Sequence, residues 1–310
     1  MTADDLVAGV ELGGTKSVAL LARGREIVRR AQRPTTTPDE TLGFLRTQLT
    51  DWMHTDGFSA LGIASFGPIR VDAKADDYAT MLPTPKSGWT GTPVGELLAA
   101  RLPCPWSIDT DVNAAALAEW RWGAARGHDV VCYLTIGTGL GGGVLINGNP
   151  LHGAMHPELG HLRLRRALGD RFEGTCPFHD DCIEGLISGP ALSARFGCAI
   201  TDVGDDDPRW ATVASDLAEL LAAISLSFSP SKILIGGGVG LGRRALLDRA
   251  RPMLVDRLAG YLPGVTDASA NALVGLAGLG ADAGPLGAIA FGQRALQLDS
   301  TMTASEMPTP

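Results

Sequence analysis

The stretch LVAGVELGGTKSVALL, residues 6–21, is apolar on both sides of Gly13-Gly14-Thr15-Lys16 and reads as strand, turn, strand. The same plan returns as CYLTIGTGLGGGVLI, residues 132–146, around the turn Gly137-Thr138-Gly139. One such hairpin in each half predicts a duplicated α/β unit closing on a shared ligand. Strands alternating with helices along the rest of the chain support that class.

Working outward, Pro38-Asp39 starts a helix over 39–54, with Leu42, Leu45 and Leu49 on one face. Residues 61–65 are a short buried strand, 80–92 a loop rich in Pro, Gly, Thr and Lys, and 94–101 a helix. Residues 106–109 are a strand running into Asp111-Val112-Asn113, and a helix is expected over 114–125. Asn147-Gly148 after the second hairpin is a strong turn signal. Helices are expected over 184–196, 210–229, 241–258 and 284–298, with a strand at 232–235. The Ser, Thr and Pro residues after Asp299 predict a disordered tail, 299–310.

The chain has 310 residues, a length that favours two domains. Its net charge of −8, without a basic run, argues against a nucleic-acid surface. No basic start followed by an apolar stretch marks a signal peptide, and no run reaches the roughly 18 apolar residues of a membrane span. The cytoplasm is the expected compartment. Five cysteines, unevenly spaced, make a poor disulfide framework and fit that setting.

Three glycine runs are candidate phosphate cradles, because glycine lets backbone N–H groups approach an anion. Gly13-Gly14-Thr15-Lys16 is a near miss to the P-loop: Gly9 is well placed, but Thr15 separates Gly14 from Lys16. Its plain alternative is a hairpin turn that needs glycine. Around Gly137–Gly143, Thr135 and Thr138 add hydroxyl donors. Gly236-Gly237-Gly238-Val239-Gly240 follows an apolar strand and precedes a helix, where open α/β sheets bind nucleotide.

Asp109-Thr110-Asp111-Val112-Asn113 ends a strand and opens a helix. These residues are good helix caps. Asp111 is also placed to act as a base, kept ionised and weak by the helix N-terminus. Phosphoryl transfer asks little of a base, because the hydroxyl proton can leave late in a loose transition state.

His161, Cys176, His179 and Cys182 supply four soft or borderline ligands, one upstream and three within seven residues. That set fits a closed, structural, tetrahedral zinc site. His152 and His156 are the alternatives to His161. Cys104, Cys132 and Cys198 lie in apolar contexts and read as core thiols.

Taken in order, Glu11–Lys16, Ser65–Pro68, Asp109–Asn113, Thr135–Gly143, His156–His161, the Cys/His/Cys cluster, Ser188-Gly189-Pro190 and Gly236–Gly240 resemble the ROK family of sugar kinases across residues 7–295. The resemblance implies an actin-like, hexokinase-type fold, with ribonuclease H-like duplicated α/β domains and the active site in the cleft. It implies a first domain over 1–115, rejoined by a helix at about 284–298, and a second over 116–283. The second carries the other phosphate hairpin, the zinc loop and the adenosine site.

By position, Asp111 resembles the catalytic base of an ATP-dependent hexose kinase. Glu158, His161, Glu184 and Thr110 resemble its hexose contacts. Gly13, Gly14, Thr15, Lys16, Thr138 and Gly139 resemble the phosphate hairpins, and Pro190, Gly236, Gly237, Gly238, Val239 and Gly240 the adenosine side. Glu11 would help place Mg²⁺. The family implies a homodimer. Many members have Asp at Glu11 and Asn at Thr110, and many glucokinases have a third cysteine at His179. These departures, with Ala64–Pro68, Pro83–Lys86, Trp89 and His156-Pro157-Glu158, are more similar to the bacterial fructokinase branch, so fructose is the expected substrate. ROK repressors carry a DNA-binding segment before the Gly-Gly-Thr motif. Ten residues before Glu11 leave no room for one, so none is expected.

Overall fold

The computed structural model describes residues 5–305. Along the chain run β1 (Leu6–Leu12), β2 (Lys16–Arg23), β3 (Glu26–Pro34), α1 (Pro38–Thr55), β4 (Leu61–Ser65), α2 (Val94–Ala99), β5 (Trp106–Thr110) and α3 (Asp111–Trp122). Then come β6 (Val130–Ile136), β7 (Leu140–Ile146), β8 (Asn149–Pro150), α4 (Ile183–Ile187), α5 (Gly189–Phe196) and α6 (Trp210–Phe228). β9 (Lys232–Gly236), α7 (Gly237–Gly242), α8 (Arg244–Leu258), α9 (Asp267–Leu273), β10 (Val274–Leu276) and α10 (Ala283–Ser305) complete the order.

Among the described residues the strands form two five-stranded sheets, β3-β2-β1-β4-β5 and β10-β9-β6-β7-β8. Read from its other edge, the second has the order of the first. In each, a glycine-turn hairpin and a third strand pair antiparallel, and two later strands add in parallel. The fold is the duplicated α/β unit that the two hairpins predicted.

The chain divides into two compact units. One takes the chain up to Ala118, the segment His152–His156 and the chain from Ala281 on; the other takes Glu119–Leu151 and Pro157–Gly280. In the first, α1 starts at Thr37, whose hydroxyl accepts from Glu40 N, with Pro38 in the first turn where a missing N–H costs nothing. Its buried Leu42, Leu45, Leu49 and Trp52 join Val10, Leu12 and Ile63 in one core. Each fully buried leucine contributes about 2 kcal/mol. In the second unit, Leu217, Leu221 and Ile224 of α6 pack with Leu134, Ile233 and Ile235. α6 is long and apolar enough to cross a membrane by length and composition, but most of its residues are buried within this core.

Several boundaries depart from the sequence reading. The helix expected from Ala114 starts at Asp111 itself. The single helix expected over 184–196 is two, because Ser188 is extended (φ −65°, ψ 162°) and caps α5 through Ala191 N. Pro190 lacks the N–H that a continuous helix would need, so the helix restarts there. The helix expected from Leu241 to Leu258 is likewise divided, with Arg243 between α7 and α8. α10 continues past Asp299 to Ser305, so residues 299–305 are helical where a disordered tail was expected; residues 306–310 lie outside the described residues. Cys132 is buried as expected, but Cys104 is half-buried and Cys198 exposed, the latter just beyond the left-handed Gly197 that ends α5.

Candidate active site

The turn between β1 and β2 is closed by Gly13 N donating to Lys16 O at 3.1 Å. Its carbonyls are engaged by the protein. Thr35 Oγ1 donates to Gly13 O (2.7 Å), Lys86 Nζ to Gly14 O (2.7 Å) and Thr35 N to Thr15 O (2.9 Å). With those oxygens engaged, what the turn can offer an anion is its amide edge. Gly14, Thr15 and Lys16 are exposed. Lys86, one of the residues similar to the fructokinase branch, braces this turn, and Phe66 packs edge-on against the fully buried Trp89, ring centroids 5.0 Å apart.

Thr110 closes β5 and Asp111 opens α3. Three side chains around Asp111 hold the segment. Asp109 Oδ1 accepts from Thr110 N (2.7 Å) and Asn113 Nδ2 (2.8 Å), and Thr110 Oγ1 accepts from Asn113 N (3.2 Å). Thr110, not Asp111, is the side-chain cap of α3, and Asp109 braces that cap from behind. The hydroxyl of the buried Thr110 is already engaged as an acceptor. Asp111 accepts from Val112 N at 2.9 Å. Burial pushes its carboxyl up to about 6, against the pull of that backbone donor. The helix N-terminus was expected to keep it a weak base; desolvation outweighs it and makes a stronger one. Glu11, on β1, is pushed up to about 7, first by burial and then by the charge of Asp111, while Lys16 and Arg30 oppose the rise. Two neighbouring carboxyls raised in this way suit a divalent cation, which would favour both charges.

In the second unit, Gly137 N donates to Gly139 O (2.9 Å) across the β6–β7 turn. Glu184 Oε2 accepts from Leu140 N at 2.9 Å, so this carboxylate anchors the hairpin. A Cβ at residue 139 would sit 2.8 Å from that oxygen, so a side chain there would push the carboxylate aside. Sequence reasoning had Glu184 only as a hexose contact. Gly189 N donates to Gly137 O (2.7 Å), placing Pro190 at the same turn. Parallel pairing of β6 with β9 sets Thr135 opposite Gly236. Gly237 has φ +79°, and a side chain there would strike Ile136, so α7 can start only on glycine. Gly137–Gly139, Gly189-Pro190 and Gly236–Gly240 thus meet at one sheet end. Glu158 is exposed and precedes the short 3-10 turn Leu159–His161.

The four metal-ligand candidates also converge. Their ligand atoms all lie within 4.8 Å of one another. Cys176 Sγ is 3.7 Å from His161 Nδ1 and 3.8 Å from His179 Nδ1, and Cys182 Sγ is 3.6 Å from His161 Nδ1. Bond lengths of 2.3 Å to sulfur and 2.0–2.1 Å to nitrogen give a tetrahedral edge of about 3.6 Å, so donors and spacing fit zinc. Cys176 and Asp180 exchange backbone bonds of 3.1 and 3.0 Å, and Ile183 N donates to Leu162 O at 2.9 Å, which closes the loop. The two alternative histidines are elsewhere: His152 Nε2 is 3.0 Å from Asp109 Oδ2, and His156 Nε2 accepts from Ile69 N at 3.3 Å.

Sequence reasoning missed one buried cluster here. Arg195 of α5 pairs with Asp216 of α6 (3.0 Å) and with Asp170 (3.3 Å), which also pairs with Arg166 (2.7 Å). This ties the metal loop to α5, the helix that Ser188 caps. Its only signal was charge inside an apolar helix pattern.

The profile of the ROK family matches residues 7–295. The chain belongs to the ROK family. Among its relatives, the fructokinase of Zymomonas mobilis is 40% identical over 290 residues, covering 91% of this chain and 94% of that one. The fructokinase of Pediococcus pentosaceus is 38% identical over 294 residues, covering 94% and 99%. The crystal structure of a ROK family glucokinase from Streptomyces griseus, in complex with glucose and AMPPNP, superposes with a TM-score of 0.72 at 26% identity, covering 93% and 99%. This ROK chain therefore has the actin-like, two-domain ATPase fold that the sequence motifs implied.

Proposed function

We propose that this chain is an ATP-dependent hexose kinase that moves the γ-phosphoryl group onto the 6-hydroxyl of a hexose, fructose being its best substrate. The carrying observation is Asp111: a carboxyl at the head of α3, lifted by burial to about 6 and framed by the hydrogen bonds among Asp109, Thr110 and Asn113. Its range suits a base that works near neutral pH. It would take the hydroxyl proton as the hydroxyl oxygen attacks phosphorus. Gly13–Lys16 and Thr138-Gly139 would cradle the phosphates with N–H groups, and Pro190 with Gly236–Gly240 would flank the adenosine. Thr110, Glu158, His161 and Glu184 would contact the hexose. Glu11 would help hold Mg²⁺, which supplies charge neutralisation on the phosphates when bound. A zinc ion on His161, Cys176, His179 and Cys182 would have a structural role.

Fructose rests on the two fructokinases at 38–40% identity. A hexose that misplaces one hydroxyl leaves a buried polar partner unpaired, at about 1–3 kcal/mol, or roughly tenfold to a few hundredfold in rate. Equimolar fructose, glucose and mannose in competition should yield mainly fructose 6-phosphate. Glucose 6-phosphate as the dominant product would move the chain to the glucokinase branch and leave the kinase chemistry standing. Absence of ADP release with all three would overturn the kinase reading.

Glu184 carries a second expectation, since it anchors the hairpin as well. Glu184→Ala should raise the KM for ATP about tenfold, the scale of one charge-assisted hydrogen bond, besides weakening the hexose. An unchanged KM for ATP would confine Glu184 to the sugar. We further propose a homodimer in the cytoplasm, where ATP is available; light scattering on the purified chain reads the first part.

A further inference from the structure

We propose that His152 is a positioning residue for the reaction, acting through Asp109 to hold the Thr110–Asn113 segment that carries the base. The inference rests on the kinase reading above. His152–His156 belongs to the same compact unit as Asp109, although both its flanks belong to the other. A histidine fixes each end of the segment: His152 Nε2 to Asp109 Oδ2 at 3.0 Å, and His156 Nε2 to Ile69 N at 3.3 Å. Between them, Gly153, Ala154 and Met155 form one wall of a cavity of about 380 Å³, with Ile69–Lys74 opposite.

Asp109 is 3% exposed. Its Oδ1 is occupied by Thr110 N and Asn113 Nδ2, both inside the base segment. Its Oδ2 meets His152, which comes from 43 residues further along the chain. A surface ion pair contributes little. Here one partner is buried, so losing the imidazole leaves a carboxylate oxygen desolvated and without that partner, which is the costly case. The way to relieve the cost is for Asp109 to turn, and turning Asp109 releases Thr110 N and Asn113 Nδ2. Asn113 is itself 1% exposed, and its Oδ1 has no hydrogen-bond partner to hold it. The Asp109 hydrogen bond holds the imidazole above its ordinary pKa, against burial and the charge of Arg294. The imidazole side chain is 36% exposed, so truncating it removes little packing.

The test compares His152→Ala with His152→Gln, whose amide can still donate to Asp109. Both are assayed with the hexose that the wild type turns over. His152→Ala should lose at least about tenfold in kcat/KM for the hexose, the factor that 1.4 kcal/mol represents. Its KM for ATP should stay unchanged and its thermal midpoint should fall by only a few degrees, and His152→Gln should recover most of both losses. Wild-type kinetics in His152→Ala would overturn the proposal. So would an equal loss in both variants, or a loss shared by the KM for ATP. A wild type inactive on every hexose would sink the kinase reading, and this inference with it; an active wild type beside an unaffected His152→Ala sinks the inference alone.

Discussion

Asp111→Asn should give a folded protein whose kcat is lower by two or more orders of magnitude, within the roughly 10²–10⁴ that a general base contributes. Hexose affinity should fall less, because the amide keeps the size and most of the hydrogen bonding of the acid. The pH profile carries the same information. Burial lifts the Asp111 carboxyl from 3.8 to about 6, and a base must be ionised to act. Turnover should therefore rise as pH climbs through about 6 and flatten above it. Stability runs the other way. A carboxyl with a raised folded-state pKa contributes stability that is fully present below its unfolded value and is lost as pH rises through about 6. The Asn side chain is neutral throughout, so the variant should be no less stable than the wild type at pH 7. Urea midpoints of the two proteins check that, and they separate lost chemistry from lost structure. Near-normal turnover in a folded Asp111→Asn protein would remove Asp111 from the mechanism.

Both hairpins were legible because each is two apolar runs around a glycine turn, a pattern that survives without tertiary context. β3 was not. Its burial alternates along the strand, but the inward positions include Arg29 and Arg33 beside Ile27 and Ala31, so hydropathy hides the period of two. Those arginines lie on an edge strand, where charge discourages pairing with other chains. β8 has two residues, too few for any pattern. In the site, the Asp111 segment and the metal residues were legible because polar residues stood where core or turn residues were expected. Glu184 on Leu140 N and His152 on Asp109 were not. Each bridges about 43 residues or more, and only the tertiary fold brings them together. Cys198 was misplaced because its apolar neighbours suggested core, whereas the left-handed Gly197 turns the chain outward.

Purified protein should contain about one zinc per chain, and Cys182→Ser should lose the metal and most of the activity together. The loop between His161 and Cys182 carries no helix or named strand, so its shape rests on scattered contacts. Among them are the Cys176–Asp180 bridge, the Arg163–Asp181 pair at 2.8 Å, the Arg166–Asp170–Arg195 pairs and the four metal donors. The exposed Arg163–Asp181 pair contributes about 0–1 kcal/mol, and the buried pairs to Asp170 give back much of their attraction in desolvation. A structural zinc site contributes several times more, about 10–16 kcal/mol in small zinc-dependent domains. The metal therefore dominates the loop's order. Its loss should reach the active site by a short path. Cys182 precedes α4, and Glu184 in the first turn of that helix accepts from Leu140 N on the second phosphate hairpin. Cys182→Ser should accordingly raise the KM for ATP, and limited proteolysis should cut between residues 162 and 181 in the variant but not in the wild type. The strongly packed sheet and α6 do not depend on the loop, so far-UV circular dichroism should change little. Stoichiometric zinc retained in both Cys176→Ser and Cys182→Ser would rule the site out. Loss of metal with full activity would leave the site intact and break its link to the hairpin.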